Sequence, residues 1–178
     1  GRCRRLLDLD ADPQAVVDLL SADPDLRPVV QSAPGQRIPR TVDEHELAIR
    51  TVLAQQVSTA AASTHASRLV RRYGRPVDDP GGGLTHTFPV IETLVDIDPH
   101  SMALPRARRS ALTALVAALA NGQLVLDPGC DWQQAREQLS VLPGIGPWTV
   151  ELVAMRGLGD PDAFPVSDLG VRTAANRI

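Results

Sequence analysis

Apolar residues recur at helical spacing through most of the chain. Over 43–54, Leu47, Ile49, Val52 and Leu53 share one side behind Asp43, a cap whose capping-box partner is Glu46. That helix is expected to end at Ala54-Gln55-Gln56-Val57. Ser58 then caps a helix over 59–73, rich in alanines that permit close packing, with Arg68, Arg71 and Arg72 outward and Gly74 ending it. Residues 55–58 therefore form a tight corner between two helices. Before them, Asp12-Pro13 opens a helix in which Val16, Val17, Leu19 and Leu20 give one apolar side. A shorter helical piece follows near 25–31, and 32–41 reads as an irregular connector with Arg37 and Arg40 exposed.

Downstream, the pattern predicts a short helix near 89–95, a turn opened by Asp98-Pro99, and a long helix over 105–120 closed by Asn121-Gly122. An extended link over 124–128 leads to a helix over 132–141, whose stripe runs from Trp132 and Ala135 to Leu139 and Leu142. Residues 148–155 are helical with Val150, Val153 and Ala154 inward. Asp160-Pro161-Asp162 makes a turn, and Ser167 or Asp168 begins the last helix. With no long alternating segment, the fold class is all-α.

Between the helices at 132–141 and 148–155 stands Leu142-Pro143-Gly144-Ile145-Gly146-Pro147-Trp148-Thr149. Pro143 and Gly144 end the first helix, Gly146 is expected in dihedrals closed to residues with a Cβ, and Pro147 suits the first turn of the second helix. Two glycines around Ile145 bare backbone N–H groups where the helix dipole also favours an anion, so a phosphate suits the hairpin. Because these donors are peptide groups, such a hairpin needs little net positive charge.

That matters because 18 basic residues face 21 acidic ones in 178, a net charge of −3. Apolar residues make up 43%, enough for one domain or two small lobes sharing a cleft. The longest uninterrupted apolar run, 114–120, is too short for a bilayer, and no charged-then-apolar leader opens the chain. The expectation is a cytoplasmic protein with no membrane partner. Cys3 and Cys130 permit at most one disulfide and cannot by themselves ligate an iron–sulfur cluster. His45-Glu46 opens a zinc-protease pattern that fails because Ile49 stands where the second histidine belongs. Residues 78–87, with Gly81, Gly82 and Gly83, read as a flexible loop rather than a phosphate cradle, since no Lys-Ser or Lys-Thr follows. Arg106, Arg108 and Arg109 form either a solvated face or a phosphate contact. With Arg68, Arg71, Arg72 and Arg75 they could line one side of the molecule while the acids gather elsewhere.

The string from Leu142 to Thr149 resembles the hairpin of the helix-hairpin-helix DNA glycosylase superfamily. Its continuation, Met155-Arg156-Gly157-Leu158-Gly159-Asp160 through Phe164-Pro165 to Asp168-Leu169-Gly170, most resembles the alkylated-base branch, 3-methyladenine DNA glycosylase II. The resemblance implies helical lobes flanking a DNA-binding cleft. Residues 1–42 would be an N-terminal segment and connector left from a preceding region, and 43–178 the glycosylase core, cut at its C-terminus. A fusion to an alkylation-response or regulatory module is expected, with damaged duplex DNA as partner, a monomeric state and a place in the bacterial nucleoid.

Breaking an N-glycosidic bond builds an oxocarbenium-like sugar, so the site needs a fixed anion near that carbon and a grip on the leaving base. Asp168, 20 residues beyond Trp148, matches the family's catalytic aspartate. Relatives that also cut the strand carry a lysine at the Trp148 position to form a Schiff base. Tryptophan cannot, so the reading is a monofunctional hydrolase in which water attacks and Trp148 stacks on a flipped, cationic base. By the same resemblance Leu152, Leu169 and Gln55 line the base pocket, while Gln56, Ser58, Gly144, Gly146, Thr149 and Arg106 hold DNA. Gln55 and Gln56 both remain candidates for the wedge that enters the base stack. No cofactor is required. The carbonyls of Ser140, Leu142 and Ile145 would hold a structural Na+ or K+. A non-catalytic helix-hairpin-helix module that only binds DNA, and a helical scaffold for protein partners, are the competing readings.

Overall fold

The computed structural model describes residues 1–79 and 81–177; Pro80, within the expected flexible loop, and Ile178 lie outside the described residues. Two compact units divide the chain, Asp43–Phe164 and a second made of Gly1–Val42 with Pro165–Ile178. The all-α expectation holds: among the described residues the only β-pairing is an isolated antiparallel bridge between Pro76 and His86.

In the unit Asp43–Phe164 the centre is helix α4 (Glu44–Ala54). Asp43 starts it as expected, its Oδ1 accepting from the Glu46 amide at 2.8 Å. Glu46 turns its own carboxylate to Arg50, 2.6 Å away one turn on. Ala48, Ile49, Val52 and Leu53 are each 1% exposed or less. Against them pack α5 (Thr59–Tyr73), α7 (Arg106–Ala120) and α9 (Pro147–Val153). Helix α6 (Ile91–Val95) lies on α7, and α8 (Trp132–Ser140) on α9. From α7 come Ala111, Leu112, Leu115, Val116, Ala118 and Leu119, and the extended link adds Leu124 and Leu126. Each fully buried aliphatic side chain contributes about 1.5–3 kcal/mol by leaving water, so this layer stabilises the unit.

Four details differ from the expected pattern. Trp132 is 41% exposed, and α8 buries only Ala135 and Leu139. Periodicity tells which residues share a face, not how far along the helix its neighbour extends. Arg108, expected at a solvated or phosphate-binding face, is buried. The α9 helix does not simply end near Met155 but passes into a π-helical turn, Ala154–Leu158, closed by Gly159 at φ +78°. The expected flexible loop is tied down: Val77 and Thr87 donate to the carbonyls of Thr85 and Arg75, both at 2.9 Å. There the Asp79 carboxylate accepts from the amides of Gly82 and Leu84.

The other unit contains α1 (Arg2–Leu6), α2 (Pro13–Leu20), α3 (Arg27–Ser32) and α10 (Leu169–Ala175), none of which has a buried residue. Asp12 caps α2 as expected, yet Val16, Leu19 and Leu20 are 47%, 75% and 38% exposed. The amphipathic pattern is real but uncovered. Arginines reaching carbonyls join these segments instead. Arg5 donates to Val42 at 3.0 Å, and Arg37 donates to Ala11 at 3.0 Å and also to Asp8.

Candidate nucleic-acid interface

The hairpin begins where α8 runs out at Ser140. Leu142 donates its amide to Leu139, and the buried Ile145 donates back to Leu142, so the turn closes on itself. Gly144 sits at φ +78°, and a Cβ there would lie 2.8 Å from the Ala111 Cβ and 3.6 Å from the Ala107 carbonyl. Both the left-handed backbone and the close approach to α7 require glycine. Gly146 corrects the expectation: it is extended, with φ −96° and ψ 173°, as the N-cap of α9. Nothing lies within 4 Å of a Cβ built on it, so this side of the hairpin is open. Pro147 occupies the first turn as expected.

A single side chain joins the hairpin to the glutamine corner. Gln55 donates from Nε2 to the Gly144 carbonyl at 2.9 Å and to the Thr149 hydroxyl at 3.0 Å. Its own carbonyl accepts from Arg108 Nη2 at 2.5 Å. Corner, hairpin and the first turns of α7 are thus one piece. The structure places Thr149 inside, 2% exposed, where its hydroxyl serves this joint rather than the surface, and the Gln55 amide is likewise turned to the hairpin. Gln56 is exposed and stands at φ +53°, a left-handed conformation costly for a residue with a Cβ. Ser58 caps α5, accepting from Ala61 at 3.3 Å. Arg106 is exposed at the start of α7.

Arg108 was the residue the arginine cluster concealed. It falls in register with Leu112, Leu115 and Leu119, spacings of four, three and four, and that stripe was the signal that it faces inward. A second joint was equally silent in the sequence: Arg136 of α8 is 2.6 Å from Asp160 and also pairs with Glu151 of α9. Burial works against the Arg136 charge, but hydrogen bonds to Asp160 and Glu151 outweigh it and raise its pKa. Glu151 in turn accepts from the Phe164 amide at 3.0 Å, which pins the last residue of this unit.

Trp148 and Leu152, both half-buried, are four residues apart on α9 and so share a face. Asp168 belongs to the other unit, where it caps α10: Oδ1 accepts from Gly170 at 2.8 Å and from Val171 at 3.1 Å. Leu169, next to it, is 79% exposed.

Residues 1–43 match the family described as AlkA N-terminal domain. Over all 178 residues the chain is 70% identical to a probable bifunctional transcriptional activator/DNA repair enzyme AlkA of Mycobacterium tuberculosis, of which it covers 36%. It is 34% identical over 171 residues to DNA-3-methyladenine glycosylase 2 of Escherichia coli, covering 94% of this chain and 58% of that protein. Along its whole length, then, the chain is similar to helix-hairpin-helix DNA glycosylases of the 3-methyladenine branch. The chain shares its fold with the 8-oxoguanine glycosylase/lyase of Clostridium acetobutylicum, with a TM-score of 0.83 at 22% identity over 96% of this chain and 60% of that one. With the 3-methyladenine DNA-glycosylase of Archaeoglobus fulgidus the TM-score is 0.75 at 25% identity, over 99% of this chain and 60% of the other. The chain thus spans between about a third and three fifths of the length of these curated relatives. Among its described residues no helix is long and apolar enough to cross a membrane.

Proposed function

We propose that this chain supplies the helix-hairpin-helix part of a monofunctional DNA glycosylase that hydrolyses the N-glycosidic bond of alkylated bases flipped out of duplex DNA. The observation that carries the reading is the Gln55 joint. It fixes an open hairpin, apt for a DNA phosphate, to a corner whose next residue, Gln56, projects to solvent. A rigid spacing between the phosphate grip and the wedge is what holding a distorted duplex requires. Of the two glutamines, Gln56 is therefore the wedge, while Gln55 sets its position.

In this reading Trp148 and Leu152 receive the base, and Trp148, lacking an amine, leaves water as the nucleophile. A cationic alkylated base departs as a neutral molecule, so no strong general acid is needed. Asp168, anchored by two amides on one oxygen, supplies a fixed negative charge for the oxocarbenium-like sugar or orients the water. Gly144, Gly146, Ser58 and Arg106 contribute to the DNA surface. The partner is damaged duplex DNA in the nucleoid, the protein acts as a monomer, and the relatives' greater length supports further attached domains, including a regulatory one.

No cofactor takes part in the bond cleavage. The Leu142 carbonyl accepts one hydrogen bond, from Ile145, and a carbonyl has a second lone pair, so it can also face a cation. With the carbonyls of Ser140 and Ile145 it would form an uncharged oxygen set suited to Na+ or K+, which would neutralise a DNA phosphate beside the hairpin.

The test is release of free base from methylated duplex by the intact protein and by its Asp168→Asn variant. Loss of roughly 100-fold or more in release, with duplex affinity kept and the wild-type product alkali-labile but uncut, supports the reading. A wild-type protein that binds duplex and frees no base is instead a DNA-holding module, with Asp168 a helix cap.

A further inference from the structure

The unit Asp43–Phe164 segregates its charge. In a chain with more acids than bases, residues 57–75 and 99–126, which contain α5 and α7, have no carboxylate at all. Seven arginines fall in those two stretches. Between the C-terminal half of α5 and the segment leading into α7 lies a cleft of about 470 Å³, within the range of ligand sites. Arg68, Arg71, Arg72 and Tyr73 of α5 line it on one side and Ser101 and Leu104 on the other, while Leu53, Leu69 and Met102 add apolar surface beneath the charged heads' stems. Arg72 is held in place, donating to the Ser101 carbonyl at 3.2 Å and lying over the Tyr73 ring, whose hydroxyl meets Ser101 Oγ at 2.8 Å. Arg68 and Arg71 are exposed and form no ion pair with any described carboxylate. The nearest acid before that wall, Asp98, is engaged by the His100 amide.

We infer that this cleft takes successive phosphodiester groups of a DNA strand running away from the glutamine corner, a second anchoring site apart from the hairpin. Cleft and corner are carried by the same helix, α5, whose N-cap is Ser58. At 1.5 Å per residue, Arg68 to Arg72 lie about 15–21 Å along the helix from that start. On one strand of B-DNA this length corresponds to about four to six nucleotide steps at 3.4 Å each. Arginine presents a planar fork that suits phosphate oxygens, and three of them within little more than one turn suit a repeating anion better than a single carboxylate. The α5 C-terminus carries a negative dipole end, and Arg71 and Arg72 in the last turn offset it. The inference rests on the DNA-binding reading above and extends its footprint.

The experiment compares the intact wild-type protein with Arg68→Gln/Arg71→Gln, which leaves the structural Arg72 contact alone, and with Arg68→Lys/Arg71→Lys. Affinity for duplexes carrying an abasic-site analogue is measured against KCl concentration, with 3 or 10 base pairs on each side of the lesion. The Gln variant should show a log K against log salt slope shallower by about two on the long duplex, since each phosphate contact contributes about 0.9. It should match wild type on the short duplex, and the Lys variant should keep the wild-type slope on both. An unchanged slope for the Gln variant on the long duplex overturns the inference, and the cleft then faces another partner, such as an acidic protein segment. A wild-type protein that binds neither duplex overturns the DNA reading itself, and this inference with it.

Discussion

Arg108 holds the backbone of Gln55 in place: its Nη2 donates to the Gln55 carbonyl at 2.5 Å, from a side chain that is only 8% exposed. The Nε of the same guanidinium is buried without a hydrogen-bond partner among the described residues. Burying a cation so incompletely satisfied costs stability, and a fold keeps it only where the geometry it imposes is needed. Here that geometry is the corner from which Gln56 projects.

Replacing Arg108 by methionine keeps the packing and removes the donor. The Gln55 carbonyl then loses its charged partner, and stability should fall by about 1.5–3 kcal/mol, read as a lower urea midpoint with the slope unchanged. Arg108→Lys should recover part of the loss. At a temperature where both proteins are fully folded, Arg108→Met should also bind abasic duplex more weakly than wild type. Full wild-type stability of Arg108→Met would show that the buried cation merely offsets its own desolvation.

Gly144 and Gly146 should respond in opposite ways. Gly144→Ala meets a left-handed dihedral costing about 1–2 kcal/mol, plus the overlap with the Ala111 Cβ. Adding Ala111→Gly removes the overlap but not the dihedral, so the double variant should be less destabilised than the two singles together by about 1 kcal/mol. Gly146→Ala, extended and in open space, should change stability by less than about 0.5 kcal/mol. Any fall in its duplex affinity then measures a contact at the hairpin surface. Calorimetric melting of these four variants against wild type decides.

His65 makes stability depend on pH. Burial first, then the positive charges of Arg108 and Arg68, hold its pKa below the ordinary value of about 6.5. The neutral ring is therefore favoured in the folded state, and on acidification the unfolded chain takes up the proton first. Stability should fall as pH drops below about 6.5, with the slope ending at the folded-state pKa. His65→Gln should flatten that part of the curve, and raised salt should reduce the share due to the arginines. A wild-type curve identical to that of the variant between pH 5 and 6.5 would remove His65 from this account.

Local chemistry was legible throughout. Asp12, Asp43, Ser58, Asp98 and Asp131 each cap the element that follows them, because a short side-chain oxygen reaches amides two or three residues on. The bounds of α4 and α5 follow from such caps, those of α7 from Pro105 before it and Asn121-Gly122 after it, and the all-helical class from the spacing of Ile49, Val52, Leu112 and Leu115. The hairpin was legible as a string, but its mechanics were not: the glycine that needs left-handed space is Gly144, chosen by its contact with Ala111 on another helix. The loop tied by Asp79 and the exposed α2 face show the same gap, since pattern does not say what a segment meets.

By itself, then, the sequence determined the helices, most of their caps and the resemblance to the glycosylase superfamily that makes Trp148 and Asp168 candidates. Only the tertiary structure decided that Gln55 binds Gly144 and Thr149, roughly 90 residues away, that Arg108 is interior, and that three arginines of α5 share a cleft with Ser101. The reason is physical: caps and periodicities arise from interactions within a turn or two of chain, whereas a polar side chain's role depends on which distant donors and acceptors packing brings to it.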